Sequence, residues 1–176
     1  MTANELIKKY RITLATQNGK EGIMVYGMDA AKRDNAIEAI KAAKEEIKAY
    51  LKAEKAEQER KARERAERIA AIEGLNEIRS AIDDLESWQY EFDKSFDDVG
   101  GLGVRQKPQY DIPAMKAKFP RAAAYLLAEE YSLKSNYELS AIGRKALETV
   151  IYGDYSEAMT TMDAEIKEFA DRHAWD

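Results

Sequence analysis

Residues 54–68 read EKAEQERKARERAER, and the stretch contains no large apolar side chain. Alanine, glutamate, lysine and arginine all favour the helix, and Glu57–Lys61, Glu59–Arg63 and Glu64–Arg68 are acidic-to-basic pairs at i,i+4. A helix that is polar all round cannot be held by a core, so it must be solvated and supported by its own charges. The stretch therefore predicts a charged strut over residues 52–68. Two rival readings exist. Arg60, Lys61, Arg63, Arg65 and Arg68 could track nucleic-acid phosphates, although the interleaved glutamates weaken their field. Alternatively, two copies could form a coiled coil whose seam is polar here.

Apolar spacing resumes on both sides of the strut. Upstream, Ile37, Ile40, Ile47 and Leu51 keep a 3–4 rhythm with Lys44 in one slot. Downstream, Leu75, Ile78, Ile82, Leu85, Phe92 and Phe96 do the same with Gln89 in the missing place. No proline falls between Asp29 and Asp98, and Gly74 is the only glycine. Residues 29–98 thus predict a long charged helix or coiled coil capped by Asp29. Unbroken, it would reach on the order of 105 Å. A break at Gly74 is the natural alternative, because glycine costs about 1 kcal/mol in a helix interior.

Before this segment, residues 1–28 predict a short helix (4–9) and a β-hairpin. Its strands are YRITLAT (10–16) and IMVYG (23–27), and Asn18-Gly19 favours the tight turn. A lone two-stranded hairpin is marginal in water and must lie on a helix or pair with another chain, which suggests a homodimer. After the long segment, residues 99–118 bring three glycines and two prolines, the composition of a loop. Residues 119–176 then predict a bundle of three helices: one from Pro120, one through YELSAIGRKALETVIY, and one after Gly153. In the last, Asp154-Tyr155-Ser156-Glu157 has the form of a capping box, and Met159, Met162, Ile166 and Phe169 make the stripe to be buried. The fold class expected is mainly α.

Composition excludes several chemistries. The 176 residues contain no cysteine and a single histidine, His173. Disulfides, thiolate catalysis, cysteine zinc sites and most imidazole chemistry are therefore ruled out. No run of about 18 apolar residues occurs, and MTANELIKKY has no apolar signal core, so a cytoplasmic, non-membrane location is expected. GGLGV (100–104) lacks the rest of a phosphate-binding loop and reads as a helix stop. Glu165-Ile166-Lys167, with Asp154 upstream, has the E-x-K form of a metal-dependent nuclease, but its helical register turns Ile166 to the core. Glu46-Ile47-Lys48 repeats the form. No catalytic residue, metal or cofactor is expected, and hence no enzyme.

The net charge of −5 hides an uneven distribution. Residues 1–68 carry 16 basic and 12 acidic side chains, residues 69–98 carry 2 and 9, and residues 99–176 carry 10 and 12. The acidic block is Asp83, Asp84, Glu86, Glu91, Asp93, Asp97 and Asp98. It has no calcium-loop spacing, and it reads either as a solvated helix face or as a surface presented to an arginine- or lysine-rich groove. Among these acids, Trp88, Phe92 and Phe96 step by four and are expected in the core, as His173 beside Trp175 is expected to be a packing or surface residue.

Within residues 119–176, FPRAAAYLLAE, SNYELSAIGRKALE and the closing HAWD resemble the C-terminal part of small proteins carried by phages and mobile elements of gut bacteria. Anti-CRISPR proteins of the type II-A, Cas9-inhibiting kind are among them. The likeness covers about a third of the chain and includes no catalytic motif. It implies a non-enzymatic inhibitor in a bacterial cytoplasm that binds Cas9 or its guide-RNA complex and blocks DNA binding or cleavage. A nucleic-acid-binding accessory or regulatory phage protein and a phage structural or assembly factor are the alternatives.

Overall fold

A computed structural model describes residues 1–17, 19–99 and 106–173, with side chains except at 95–99. The fold is mainly α, with one two-stranded sheet among the described residues. It divides into two compact units, Met1–Glu64 and Arg65–Asp176. The division falls inside a single helix, within the stretch that has nothing to bury.

In the first unit, α1 (Ala3–Tyr10) begins at a reciprocal capping box: Thr2 accepts from the Glu5 backbone N–H, and the Glu5 carboxylate accepts from that of Thr2 at 2.8 Å. Strands β1 (Ile12–Gln17) and β2 (Lys20–Val25) pair antiparallel, with Ile12 opposite Val25 and Leu14 opposite Ile23. Gly19 takes φ 74°, the left-handed backbone the turn requires. Asn18 lies outside the described residues. The alternating face of the hairpin meets Leu6, Tyr10, Ile40 and Ile47 in one core. The hairpin's burial is therefore met within the chain, and a second copy is not needed for it.

The helix expected to run on from Asp29 is instead three helices: α2 (Met28–Arg33), α3 (Ile37–Ala42) and α4 (Lys44–Ala70). Gly27, not Asp29, occupies the cap position, and Asp29 sits in the first turn. The first break is at Asn35, whose φ of 53° is left-handed, a conformation asparagine tolerates better than most residues. Asp34 beside it accepts from the buried Tyr10 hydroxyl at 2.9 Å and pairs with Lys9 at 2.7 Å, so the bend is tied to α1. Ile37, Ile40, Ile47 and Leu51 still reach one core despite the breaks.

From Lys52 to Arg63 every residue of α4 is exposed. Glu57 is the hub of its charges, accepting from Arg60 at i,i+3 at 2.8 and 2.9 Å and facing Lys61 at the expected i,i+4 at 3.4 Å, while Glu59 faces Lys55 at 3.8 Å and not the expected Arg63. Arg60 also reaches Glu64 at 3.7 Å. The Arg60 hydrogen bonds hold the Glu57 carboxyl well below its usual 4.5, at about 2.

The second unit begins at the end of α4. Gly74, with φ 76°, separates α4 from α5 (Leu75–Val99), and the ring of Phe119 lies where a β-carbon at position 74 would stand. The helix therefore breaks at the expected residue. The segment expected as loop contains a further helix, α6 (Ile112–Lys118), started by Asp111, which accepts from Ala114 N–H at 2.9 Å, and by Pro113 in the first turn. Then follow α7 (Pro120–Ser132), α8 (Tyr137–Tyr152) and α9 (Tyr155–His173). Ile72, Leu75, Ile78, Phe119, Tyr125, Val150 and Ile151 make the main core, and Ala128, Ala146 and Met162 a smaller one beside it.

Two devices lock the bundle. Arg121 donates to the carbonyls of Val150 at 2.8 Å and Ile151 at 3.2 Å, closing the open C-terminal end of α8 with a cation. At Gly143 the backbones of α7 and α8 meet: an added β-carbon would lie 2.5 Å from the Tyr131 carbonyl carbon and closer still to the Ser132 nitrogen. Buried Ser140 donates to the Ser132 carbonyl at 2.7 Å at the same crossing.

Gly143→Ala must push the two helices apart, since the obstacle is backbone. It is expected to cost about 1–3 kcal/mol or more, read as a lowered midpoint in thermal or urea unfolding. For Glu57, whose carboxyl is depressed on folding, the stabilisation is present above pH 4.5 and lost as pH falls towards about 2. Helicity followed by circular dichroism should decline over that window, and Glu57→Gln should remove part of the decline.

Candidate partner-binding face

α5 leaves Gly74 with Leu75, Ile78 and Ile82 turned into the core. One turn along, Arg79 pairs with the Glu129 carboxylate of α7, and its guanidinium lies 5.2 Å from the centre of the Tyr125 ring. The Tyr125 hydroxyl donates to the same carboxylate at 3.3 Å. The Glu129 hydrogen bond raises the Arg79 pKa further. This network fixes the rotation of α5 about its own axis.

With that rotation set, Asp83, Glu86, Tyr90 and Asp93 follow at helical steps of three, four and three, and all are exposed. Tyr90 is 69% exposed at the middle of the row. Gln89 donates to Asp93 at 2.7 Å, while Asp83 and Glu86 have neither an ion pair nor a hydrogen bond among the described residues. Asp84 and Glu91 form a second line about 100° round the helix. Asp84 is half-buried there and accepts from the Tyr110 hydroxyl at 3.1 Å. The acidic block is thus divided into an outward row and a flanking one. The side chains of Asp97 and Asp98, and the whole of GGLGV, lie outside the described residues.

Trp88 and Phe92 stack on each other with centroids 5.0 Å apart, and both are half-buried rather than in the core expected for them. The Lys107 ammonium caps the Trp88 ring at 5.4 Å. The Phe96 side chain lies outside the described residues. Next to Leu85, residues 106–111 line a cavity of about 620 Å³ with Pro108 and Tyr110, a feature that sequence reasoning missed because no periodicity marks a loop folding onto a helix.

The basic residues of the strut do not form a single cationic surface. Arg60 and Lys61 are engaged with Glu57, Arg65 donates to Glu148 of α8 at 2.7 Å, and the Arg68 guanidinium lies 5.0 Å from the centre of the Tyr152 ring. Arg63 is exposed.

Nor do the E-x-K residues converge. Asp154 accepts from the Ser156 N–H at 2.7 Å at the start of α9, while Glu165, eleven residues on, pairs with Lys145 of α8, about 16 Å along the helix. No group of three or more candidate ligands among the described residues could hold a metal ion. His173 stacks on Phe169 with centroids 4.2 Å apart. None of the described helices is long and apolar enough to cross a membrane.

No family model, curated protein or solved structure matches the chain.

Because Asp83 and Glu86 point to solvent, Asp83→Lys and Glu86→Lys should each change unfolding free energy by no more than roughly 0.5 kcal/mol. Glu129→Gln, which breaks the pair that orients α5, should cost roughly 1 kcal/mol in the same urea titration, the upper end for a partly covered ion pair.

Proposed function

We propose that the chain acts by binding and not by catalysis, as an inhibitor that sets the outward row of α5 against a cationic nucleic-acid-binding groove on another protein. The observation that carries this reading is the row itself: three exposed carboxylates, Asp83, Glu86 and Asp93, around an exposed tyrosine. Carboxylates spaced along one helix edge offer an arginine- or lysine-rich channel a linear negative field of the kind a phosphate backbone offers, and they speed the approach of such a partner. A solvent-exposed tyrosine among them supplies the amphipathic contact area typical of an interface centre. The resemblance of the C-terminal segment suggests the host: a bacterial cytoplasm, with Cas9 or its guide-RNA complex as the effector.

The experiment is a DNA-cleavage assay with a purified Cas9–guide complex and increasing amounts of the chain. Wild type should inhibit, and should do so less well as salt rises. The combination of Asp83→Lys, Glu86→Lys and Asp93→Lys should raise the half-inhibitory concentration at least about tenfold, equivalent to about 1.4 kcal/mol of binding. Undiminished inhibition by this variant would remove the row from the interface. Steep, salt-sensitive binding of the free chain to duplex DNA would favour a nucleic-acid-binding accessory instead.

A further inference from the structure

The C-terminal bundle has an open side. α8 packs between α7 and α9 through two short connections at opposite ends, so α7 and α9 run the same way and leave a trough of about 460 Å³ between them. Ala123 and Leu127 from α7 and Tyr155 and Met159 from α9 give it apolar walls, and α9 adds the hydroxyls of Ser156 and Thr160, the latter donating back to the Ser156 carbonyl at 3.0 Å. Leu127 is 39% exposed. Small residues at 123 and 124 leave room for another helix to come close.

The charges at the ends of the trough differ in sign. Lys116 stands one turn before Pro120, at the end where α7 and α9 begin, and Asp163 stands two turns down α9. Both are exposed, and neither has an ion pair or hydrogen bond among the described residues. A two-fold axis through the middle of the trough would set Lys116 of one copy opposite Asp163 of the other, twice, and lay Leu127 and Met159 of each against the other's apolar wall. A surface that is apolar in the centre and of opposite charge at its two ends is self-complementary under that operation.

We infer that a second copy of this chain occupies the trough, forming a two-fold homodimer through α7 and α9. The inference is independent of what the acidic row of α5 binds. It also differs from pairing through the hairpin, whose apolar face is already covered in its own unit.

Sedimentation velocity of the full chain at low salt, across the micromolar range, tests it. The expected species has twice the 20.0 kDa mass of one chain. Asp163→Lys, which sets lysine against lysine at both ends, should raise the dimer dissociation constant by at least about tenfold. Adding Lys116→Asp, which reverses both charges, should restore it. Leu127→Glu should give monomer with an unchanged helical spectrum. If that variant misfolds, the two exposed charge changes still decide the matter. A monomer at every concentration overturns the inference. So does a dimer indifferent to Asp163→Lys, or a double variant as weak as the single one.

Discussion

Residues 52–63 offer no side chain to a core, and this constraint organises the molecule. Hydrophobic burial requires apolar surfaces to meet, and a stretch of helix without one interrupts the core it passes through. Two separate cores follow. One gathers α1, the hairpin and the helices up to Leu51, and the other, with a smaller cluster beside it, gathers apolar residues from Ile69 to Ile166. Local helix-forming tendency and the ion pairs around Glu57 keep the backbone regular where burial cannot.

Within the second unit the position of the acidic row depends on contacts some distance from it. Gly74 permits the break between α4 and α5, Phe119 fills the space over it, and the Arg79–Glu129–Tyr125 network fixes which side of α5 faces α7. Asp83 and Glu86 need no partner of their own in this arrangement, because the polar atoms that fix the helix belong to Arg79, one turn earlier. A surface whose charges are not used in folding is free to be used in recognition, and it can vary without loss of the fold.

Much of this was legible residue by residue. The alternation of Ile12 and Leu14 marked a strand, the 3–4 rhythm of Ile78 and Ile82 marked the buried side of α5, and Gly74 marked a stop. The same helical arithmetic places Asp83, Glu86, Tyr90 and Asp93 in one row. Other features depend on distant contacts or on signs that their surroundings hide. Asn35 breaks a helix because Asp34 is held by Tyr10 and Lys9 from another element. α6 arises in a proline- and glycine-rich stretch from an aspartate cap and a first-turn proline, signs that the surrounding composition obscured. Trp88 and Phe92 carry the spacing of core residues, yet both stay half-buried, stacked on each other with Lys107 over the Trp88 ring.

By itself, the sequence determined that the chain is mainly helical, where the hairpin pairs, that Gly74 ends a helix, and that one stretch of helix is solvated. Propensity, periodicity and charge spacing act over a few residues, and so they can be read from a few residues. Only the tertiary structure decided which apolar face is covered by what: the backbone approach at Gly143, the cation on the end of α8, the half-covered tryptophan, and the trough left open between α7 and α9. An apolar stripe requires a partner surface without specifying which one. That choice depends on chain direction, helix length and close packing among elements far apart in sequence.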